Sequence, residues 1–463
     1  MKQFKSTILF VIAIMLFAAF KTDCINVHFG TKTLYKPLQN VYSTAPDGYA
    51  PVFINHVGRH GARHLTSINA DSIMFLVLKI ARSENALTEV GERLLRMDSL
   101  LLNVEKGNVS FISERGKEEQ TDIAKRMVQN FSSVFANKKG FIKISTTKKE
   151  RTKQSAKAFL KGLNPDTANC IINNFNDNDN LAFYDISPAY KSFKETGSWK
   201  TPFAIVQNTE KAQKLYEDLP KKFFTQLFIN KLNAQTFNFN TKNNDANYSS
   251  KNFTDAFYDA CSIVGSLEKE IVKAGYNPEA LNFGSLVSCS ELEELNFLSS
   301  ADDFLLKAAG TDETGIQVKI AAPLLLNFLN ATDEYIASKK TIANLRFAHA
   351  ETIAPFATLM GITGASEPIL PDKILDYNTV WKCENIIPLS ANIQWILYKN
   401  KTTGDFLLKF LLNEKEVAIN GLNNSGTAFY YKWNDVRNFY TQKLEKLNVH
   451  AGDNMHDFLM NIK

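Results

Sequence analysis

The run Gly58-Arg59-His60-Gly61-Ala62-Arg63 sets two guanidiniums around one imidazole, with glycine on both sides. Arginine forks bind phosphate oxygens in pairs and stay charged at every relevant pH. A neutral imidazole among them is a nucleophile aimed at whatever the forks hold. Far downstream, Phe347-Ala348-His349-Ala350-Glu351-Thr352 offers a second imidazole and a carboxyl. His349 can donate to a phosphoryl oxygen. Glu351 can protonate a leaving alkoxide, provided its pKa is raised enough to hold a proton. The plainer readings are a surface loop that happens to be basic, and a helix N-terminal carboxylate that suits the macrodipole.

Elements of definite kinds must position these groups. Pro51 to Val57 reads as a buried strand broken by Gly58, and Ile73 to Leu78 as part of a helix. A helix is expected from Glu118 to Ala136, with Ile123, Met127, Phe131 and Val134 or Phe135 on one face. Phe141 to Ser145 alternates as a strand, and Thr152 to Leu160 looks helical, ending near Gly162. This rhythm indicates an α/β sheet with reactive groups at the C-terminal ends of its strands.

The middle of the chain changes character. Residues 173–180 and 238–252 are asparagine-rich and read as loops. Helices are expected over 212–233, 255–274 and 290–308, with little strand signal from about 165 to 325. Sheet pattern resumes at Leu345 to Ala348, followed by a helix through Thr352 to Met360 that Gly361 stops. Asn392 to Tyr398 and Phe406 to Leu411 look like paired strands, and a final helix starts near Trp433. The division expected is a signal peptide at 1–23, an α/β core from 24–164 and 331–463, and an α-helical cap inserted at 165–330.

With 44% hydrophobic and 22% charged residues, the 463-residue chain has the balance of a soluble globular protein. Lys2 and Lys5 precede an apolar run from Ile8 to Phe20, the pattern of a secretory signal peptide and short for a membrane span. A retained anchor, or a lipid on Cys24, are the competing readings; Lys21-Thr22-Asp23 is too large and charged to favour the lipid. Export makes the protein periplasmic or secreted, with no stable membrane span after cleavage. Removing residues 1–23 takes away three lysines and one aspartate, so the net charge falls by two, from +5 to +3. That mild balance, without a long basic tract, argues against nucleic acid as a partner.

Cys170, Cys261, Cys289 and Cys383 match no zinc spacing; they allow two disulfides in three pairings, or four buried thiols. His56, His60 and His64 recur every four residues, as metal ligands on a helix would. Gly58 and Gly61 argue against a helix there, and two arginines repel a cation. His56 then reads as a core histidine, and His64 as a loop histidine able to brace the site.

The Arg59-His60-Gly61-Ala62-Arg63 and His349-Ala350-Glu351 motifs resemble the histidine phosphatase superfamily, in its acid phosphatase branch. The His-Ala-Glu form, in place of His-Asp, points to the multiple inositol polyphosphate phosphatase family. Ser113-Glu114-Arg115-Gly116 with Gln120 resembles its glycine-containing helix start. Ser145 to Thr147 followed by Arg151 to Ala156 resembles the segment that supplies a further phosphate-binding arginine. Pro388 to Asn392 and Leu412-Asn413-Glu414 resemble later landmarks, so the likeness runs over most of residues 50 to 445. His64-Leu65 stands where many relatives have a residue followed by proline.

The resemblance implies a histidine-phosphatase-like sheet flanked by helices, with an inserted, mostly α-helical cap. It implies that His60 attacks phosphorus to form a phosphohistidine. Arg59, Arg63, Arg151 and His349 would neutralise the equatorial oxygens. Glu351 would protonate the departing inositol oxygen, and water would hydrolyse the phosphoenzyme. No metal or cofactor is implied, since arginines supply the positive charge. Lys148, Lys149 and Lys153 would contact other phosphates of the substrate, although a solvated charged face explains them as well. The implied partner is a small-molecule inositol polyphosphate, phytate first, acted on by a monomer. The competing readings are a general acid phosphatase, and a polyphosphate-binding protein with a lapsed site.

Overall fold

The computed structural model describes residues 28–67, 69–136, 140–164, 170–234 and 248–463. The expected leader, 1–23, and Cys24 lie outside the described residues. The sheet contains β1 (Tyr49–Arg59), β2 (Phe141–Thr146), β3 (Cys170–Asn174), β4 (Thr341–Ala348), β5 (Asn392–Asn400), β6 (Phe406–Leu412), β7 (Lys415–Glu416) and β8 (Tyr431–Lys432). Its order is β3-β2-β4-β1-β5-β6-β7, with β8 also against β6. The segment β3-β2-β4-β1 is parallel; β5 runs antiparallel to β1, and β6 turns back antiparallel to β5 in a hairpin. The chain leaves β1, goes to β2 and β3, and returns to β4 between β2 and β1. That crossover is where an α/β sheet opens a crevice beyond its strand ends.

The helices that matter for the site are α1 (Glu114–Asn130), α2 (Glu150–Leu163), α3 (Cys289–Lys307), α4 (Ala322–Ser338) and α5 (Ala350–Met360). One sheet face, with Ile54, Ile144, Leu345 and Phe347, packs against Ile123 and Met127 of α1 and Phe159 of α2. The other face, with Phe53, Val57 and Trp395, packs against α4 and α5. The apolar residues of the middle segment, such as Phe257, Leu298 and Phe304, belong to that same cluster. The helical segment between β3 and β4 therefore shares a core with one face of the sheet.

Several elements differ from their expected bounds for local reasons. Helix α1 starts at Glu114 because Ser113 accepts the Gly116 amide as its cap, and it stops at Asn130, with Ser132–Phe135 a separate turn. The expected helix over 212–233 is two, Glu210–Asp218 and Gln226–Asn233, divided at Pro220. The one over 255–274 is also two, Ser250–Ile263 and Glu268–Lys273, parted by a tight turn at Val264–Ser266. Strand β3 has no counterpart in the sequence reading. Its pattern Cys-Ile-Ile-Asn-Asn lacks alternation, and it is an edge strand paired only with β2. A boundary at 165 thus precedes a sheet strand, and one at 330 cuts α4, which packs on β1 and β4. Helix Trp433–Glu445 begins as expected, and Met455–Asn461 follows it. Among the described residues no helix is long and apolar enough to cross a membrane.

Candidate active site

Strand register builds the site. Arg59 is level with Ala348 across β1 and β4, and Phe347 is level with Thr146 across β4 and β2. The next residues, His60, His349 and Thr147, therefore emerge side by side at the C-terminal edge of the parallel strands. The His60 and His349 rings are 5.5 Å apart between centroids, edge to face. The His60 amide donates to the Ala348 carbonyl at 3.0 Å, and its carbonyl accepts from Ser390 at 3.1 Å.

The loop after β1 is held by polar contacts on every side. Gly61 N–H donates to Ser155 Oγ of α2 at 3.1 Å, and Ala62 N–H to Glu119 Oε2 of α1 at 2.9 Å. Ser390 Oγ donates to the same Glu119 oxygen at 2.7 Å. Gln120 Nε2 donates to the Arg59 carbonyl at 2.9 Å. Leu65 N–H donates to buried Glu105 at 3.1 Å, a bond that a proline at this position could not make. His64 leans on the same carboxylate at 3.2 Å, bracing the loop from behind. Neither Glu119 nor Glu105 was singled out from the sequence. A carboxylate bonding to distant loop amides carries no local spacing signal.

The tautomers follow from the partners. His60 Nδ1 sits 2.9 Å from the Gly61 carbonyl, which can only accept. Nδ1 therefore carries the proton and Nε2 the lone pair, the form a nucleophile needs. Burial depresses the His60 pKa well below the ordinary value, reinforced by Arg59, Arg151, His349 and Arg63, so the ring is neutral. Arg151 Nη2 lies 3.2 Å from His349 Nδ1 and can only donate. His349 thus accepts at Nδ1 and donates from Nε2 to Thr147 Oγ1 at 2.9 Å. Burial, then Arg151, lowers its pKa to about 3. The neutral ring therefore has no spare N–H for a phosphoryl oxygen. The expected donation requires a second proton and release from Arg151.

The arginines are only partly satisfied. Arg59, 4% exposed, spends Nη1 on the carbonyls of Thr31 and Ile387, the latter at 2.7 Å. Arg63 spends Nη1 on the His64 carbonyl at 2.7 Å. The Nε groups of Arg59, Arg63 and Arg151 are all buried without a partner. Burial, then the charges of Arg59 and Arg151, lowers Arg63 to about 10. Three crowded, underpaired guanidiniums are costly unless an anion joins them.

Glu351 stands in the first turn of α5, which His349 caps. Its Oε1 is 3.4 Å from Lys307 Nζ of α3. Burial is the largest single effect and would raise the carboxyl, but Lys307, then His349, a backbone hydrogen bond and Arg59 together outweigh it and hold Glu351 well below the usual carboxylate range. The raised pKa expected from the sequence is thus absent from the free site, because Lys307 of α3 adds its effect to those of His349 and Arg59. Lys307, its partner Asp303 and Tyr184, whose ring stands 6.1 Å from His349, come from helices that carry no motif.

The three lysines fare differently. The charge of Lys149, which caps α2, acts on His349. Lys148 is exposed, with its amide 3.4 Å from Asn178 Oδ1. Lys153 is drawn to Glu150 at 3.7 Å in a largely exposed pair. No contact brings Lys148 or Lys153 to the His60 loop. The periodic histidines diverge: His56 packs on Phe159 and Phe347 in the sheet core, while His64 faces Glu105. Cys261 and Cys383 are buried free thiols and Cys289 is disulfide-bonded, so the four cysteines do not form two bridges among themselves.

A crossover in a parallel sheet, with a neutral histidine among arginines at its strand ends, defines a phosphate-handling α/β protein. The profile of the histidine phosphatase superfamily (branch 2) matches residues 52–413, and the chain belongs to that family. It is similar to multiple inositol polyphosphate phosphatase 1 of Gallus gallus, 22% identical over 448 residues, covering 90% of each chain. The Homo sapiens protein of the same name is 22% identical over 460 residues, covering 90% of this chain and 87% of that one. Among solved structures, the Bifidobacterium longum multiple inositol polyphosphate phosphatase bound to inositol hexasulfate superposes with a TM-score of 0.78 at 20% identity, over 88% of this chain and 96% of that one. The phytase of D. castellii superposes at 0.67 and 14% identity, over 94% and 88%.

Proposed function

We propose that this chain is a phosphomonoester hydrolase acting on inositol polyphosphates, phytate first, through a phosphohistidine. The observation that carries it is the ring of Arg59, Arg63 and Arg151 around the neutral His60, each with a buried, unpartnered Nε. The names of the relatives support the inositol polyphosphate as substrate.

In this reading His60 Nε2 forms a bond to phosphorus as the ester P–O bond breaks. The guanidiniums stabilise the charge on the transferring phosphoryl group. The leaving alkoxide takes a proton from Glu351. Water then attacks the phosphohistidine, giving its proton to the Glu351 carboxylate and releasing phosphate. Glu351 is ionised in the free site, so the proton enters with substrate. A phosphate ester's negative charge offsets the arginines and raises the carboxyl's hold on a proton. Positive charge comes from arginine, so the reading needs no metal or cofactor. Lys148, Lys149 and Lys153 remain the proposed contacts for outlying phosphates, Lys149 best supported by its charge at His349.

The proposal includes export on a leader at 1–23, to the periplasm or outside the cell, and action as a monomer. It also retains a helical cap between two parts of an α/β core. Phosphate release from phytate by purified protein, with chelator present and the products resolved, tests the reading. A ladder of lower inositol phosphates is expected. Turnover of an aryl phosphate without phytate hydrolysis would mean a general acid phosphatase, and silence on both would mean a binding protein.

A further inference from the structure

Glu351 is tied to a second charged pair. Lys307, at the end of α3, lies 3.4 Å from Glu351 and 2.6 Å from Asp303 Oδ1, one helical turn before it. The other Asp303 oxygen faces Cys383 Sγ at 3.9 Å. The Lys307 and Asp303 side chains are 15% and 8% exposed, against 36% for Glu351. Tyr190 donates to the Leu306 carbonyl at 3.3 Å, fixing the turn that carries the lysine. Were Lys307 to swing away, Asp303 would be left as an uncompensated buried charge. The lysine is therefore a fixed cation beside a more accessible carboxylate.

We propose that Asp303 and Lys307 form a positioning pair for Glu351: Asp303 anchors the lysine, and the lysine fixes the carboxylate beside His60 and governs when it carries the leaving-group proton. The inference rests on the phosphatase reading above. Other charges also face this carboxyl: Arg59 at the end of β1, Arg151 of α2 and His349 after β4. Asp302 and Cys383 flank Asp303, while Tyr184, Asp185 and Tyr190 close the side formed by the insertion. All of these are unchanged in the variants below, so the shift each variant produces reports on the pair.

The test is the pH dependence of kcat for the wild type, Lys307→Met, Lys307→Arg and Asp303→Asn. Two substrates are compared, an alkyl phosphate (glycerol 2-phosphate) and p-nitrophenyl phosphate, with thermal melting as the check on folding. Loss of the ammonium raises the carboxyl's hold on its proton. Lys307→Met should thus move the basic limb for the alkyl ester upward by about one pH unit or more. Asp303→Asn keeps an oxygen that can accept from Lys307 Nζ and hold the lysine in place, but removes a negative charge that opposes ionisation of Glu351, so its limb should move downward. Lys307→Arg should restore the wild-type position. With the nitrophenolate leaving group, which needs little protonation, the displacements should shrink.

Limbs that stay in place, or that move the same way in both charge variants, would overturn the pair. If Lys307→Met does not fold, an unmoved limb in Asp303→Asn overturns it alone. Phytate serves as the alkyl ester if glycerol 2-phosphate is not turned over; wild-type silence on all three would overturn the phosphatase reading and the pair together, whereas wild-type turnover with unshifted limbs overturns only the pair.

Discussion

Gly61 and Gly116 meet backbone to backbone where the loop after β1 crosses the start of α1. A Cβ on Gly61 would lie 2.5 Å from the Gly116 carbonyl oxygen, and one on Gly116 would lie 2.0 Å from the Ala62 carbonyl oxygen. Neither neighbour is a flexible side-chain end, so neither can yield cheaply. The contact brings α1 close enough for Glu119 to reach the Ala62 amide and Gln120 to reach the Arg59 carbonyl. Gly116→Ala should therefore cost about 1–3 kcal/mol of stability and lower kcat by displacing His60. Denaturant unfolding alongside phosphatase assays checks this; a variant with wild-type stability and rate would show that the loop tolerates the shift.

Replacement of His60 by alanine should leave the fold intact and cut phosphomonoester turnover by about a thousandfold or more, as loss of a nucleophile does. Rapid acid-free quenching with labelled substrate should trap an alkali-stable, acid-labile phosphoenzyme in the wild type and none in the variant. A labelled enzyme in both would place the nucleophile elsewhere.

Arg151 has two duties, a charge at the phosphate site and a donor to His349 Nδ1. Arg151→Ala should lower kcat/KM by about a hundredfold or more. After burial, Arg151 is the largest cause holding His349 down. Its removal should therefore raise the His349 titration, readable by imidazole NMR. An unmoved histidine would mean that the pair does not persist in solution.

Sensitivity to acid follows from histidines held neutral. Burial, then Arg346, lowers His56 from 6.5 to about 3, and both its ring nitrogens are buried without partners. Between those values the unfolded chain binds a proton that the folded chain refuses. Unfolding therefore takes up protons there, and stability falls as pH drops from about 6.5 toward about 3. His349 acts in the same direction over the same window. His56→Leu should make the fall in melting temperature shallower. An unchanged slope would remove His56 as a contributor.

Much of the site was legible because its chemistry is local. Arg59, His60 and Arg63 lie within five residues, and His349 and Glu351 within three, each set following an apolar run that reads as a strand. Helices with periodic faces, such as α1, were legible for the same reason, although Pro220 and the turn at Val264–Ser266 divided two others. Edge strand β3 was not, since five residues without alternation give no period to read.

The sequence by itself determined the reacting groups, the parallel-strand rhythm that sets them at strand ends, and the family to which they belong. Tertiary structure decided their states. The carbonyl of Gly61 chooses the His60 tautomer, Arg151 and Thr147 choose that of His349, and Lys307, with His349 and Arg59, keeps Glu351 ionised against its burial. Protonation depends on burial and on charges within a few ångströms. Those neighbours come from segments that approach only when the chain folds: α2, 198 residues from His349 in sequence, and the end of α3, 44 residues before Glu351.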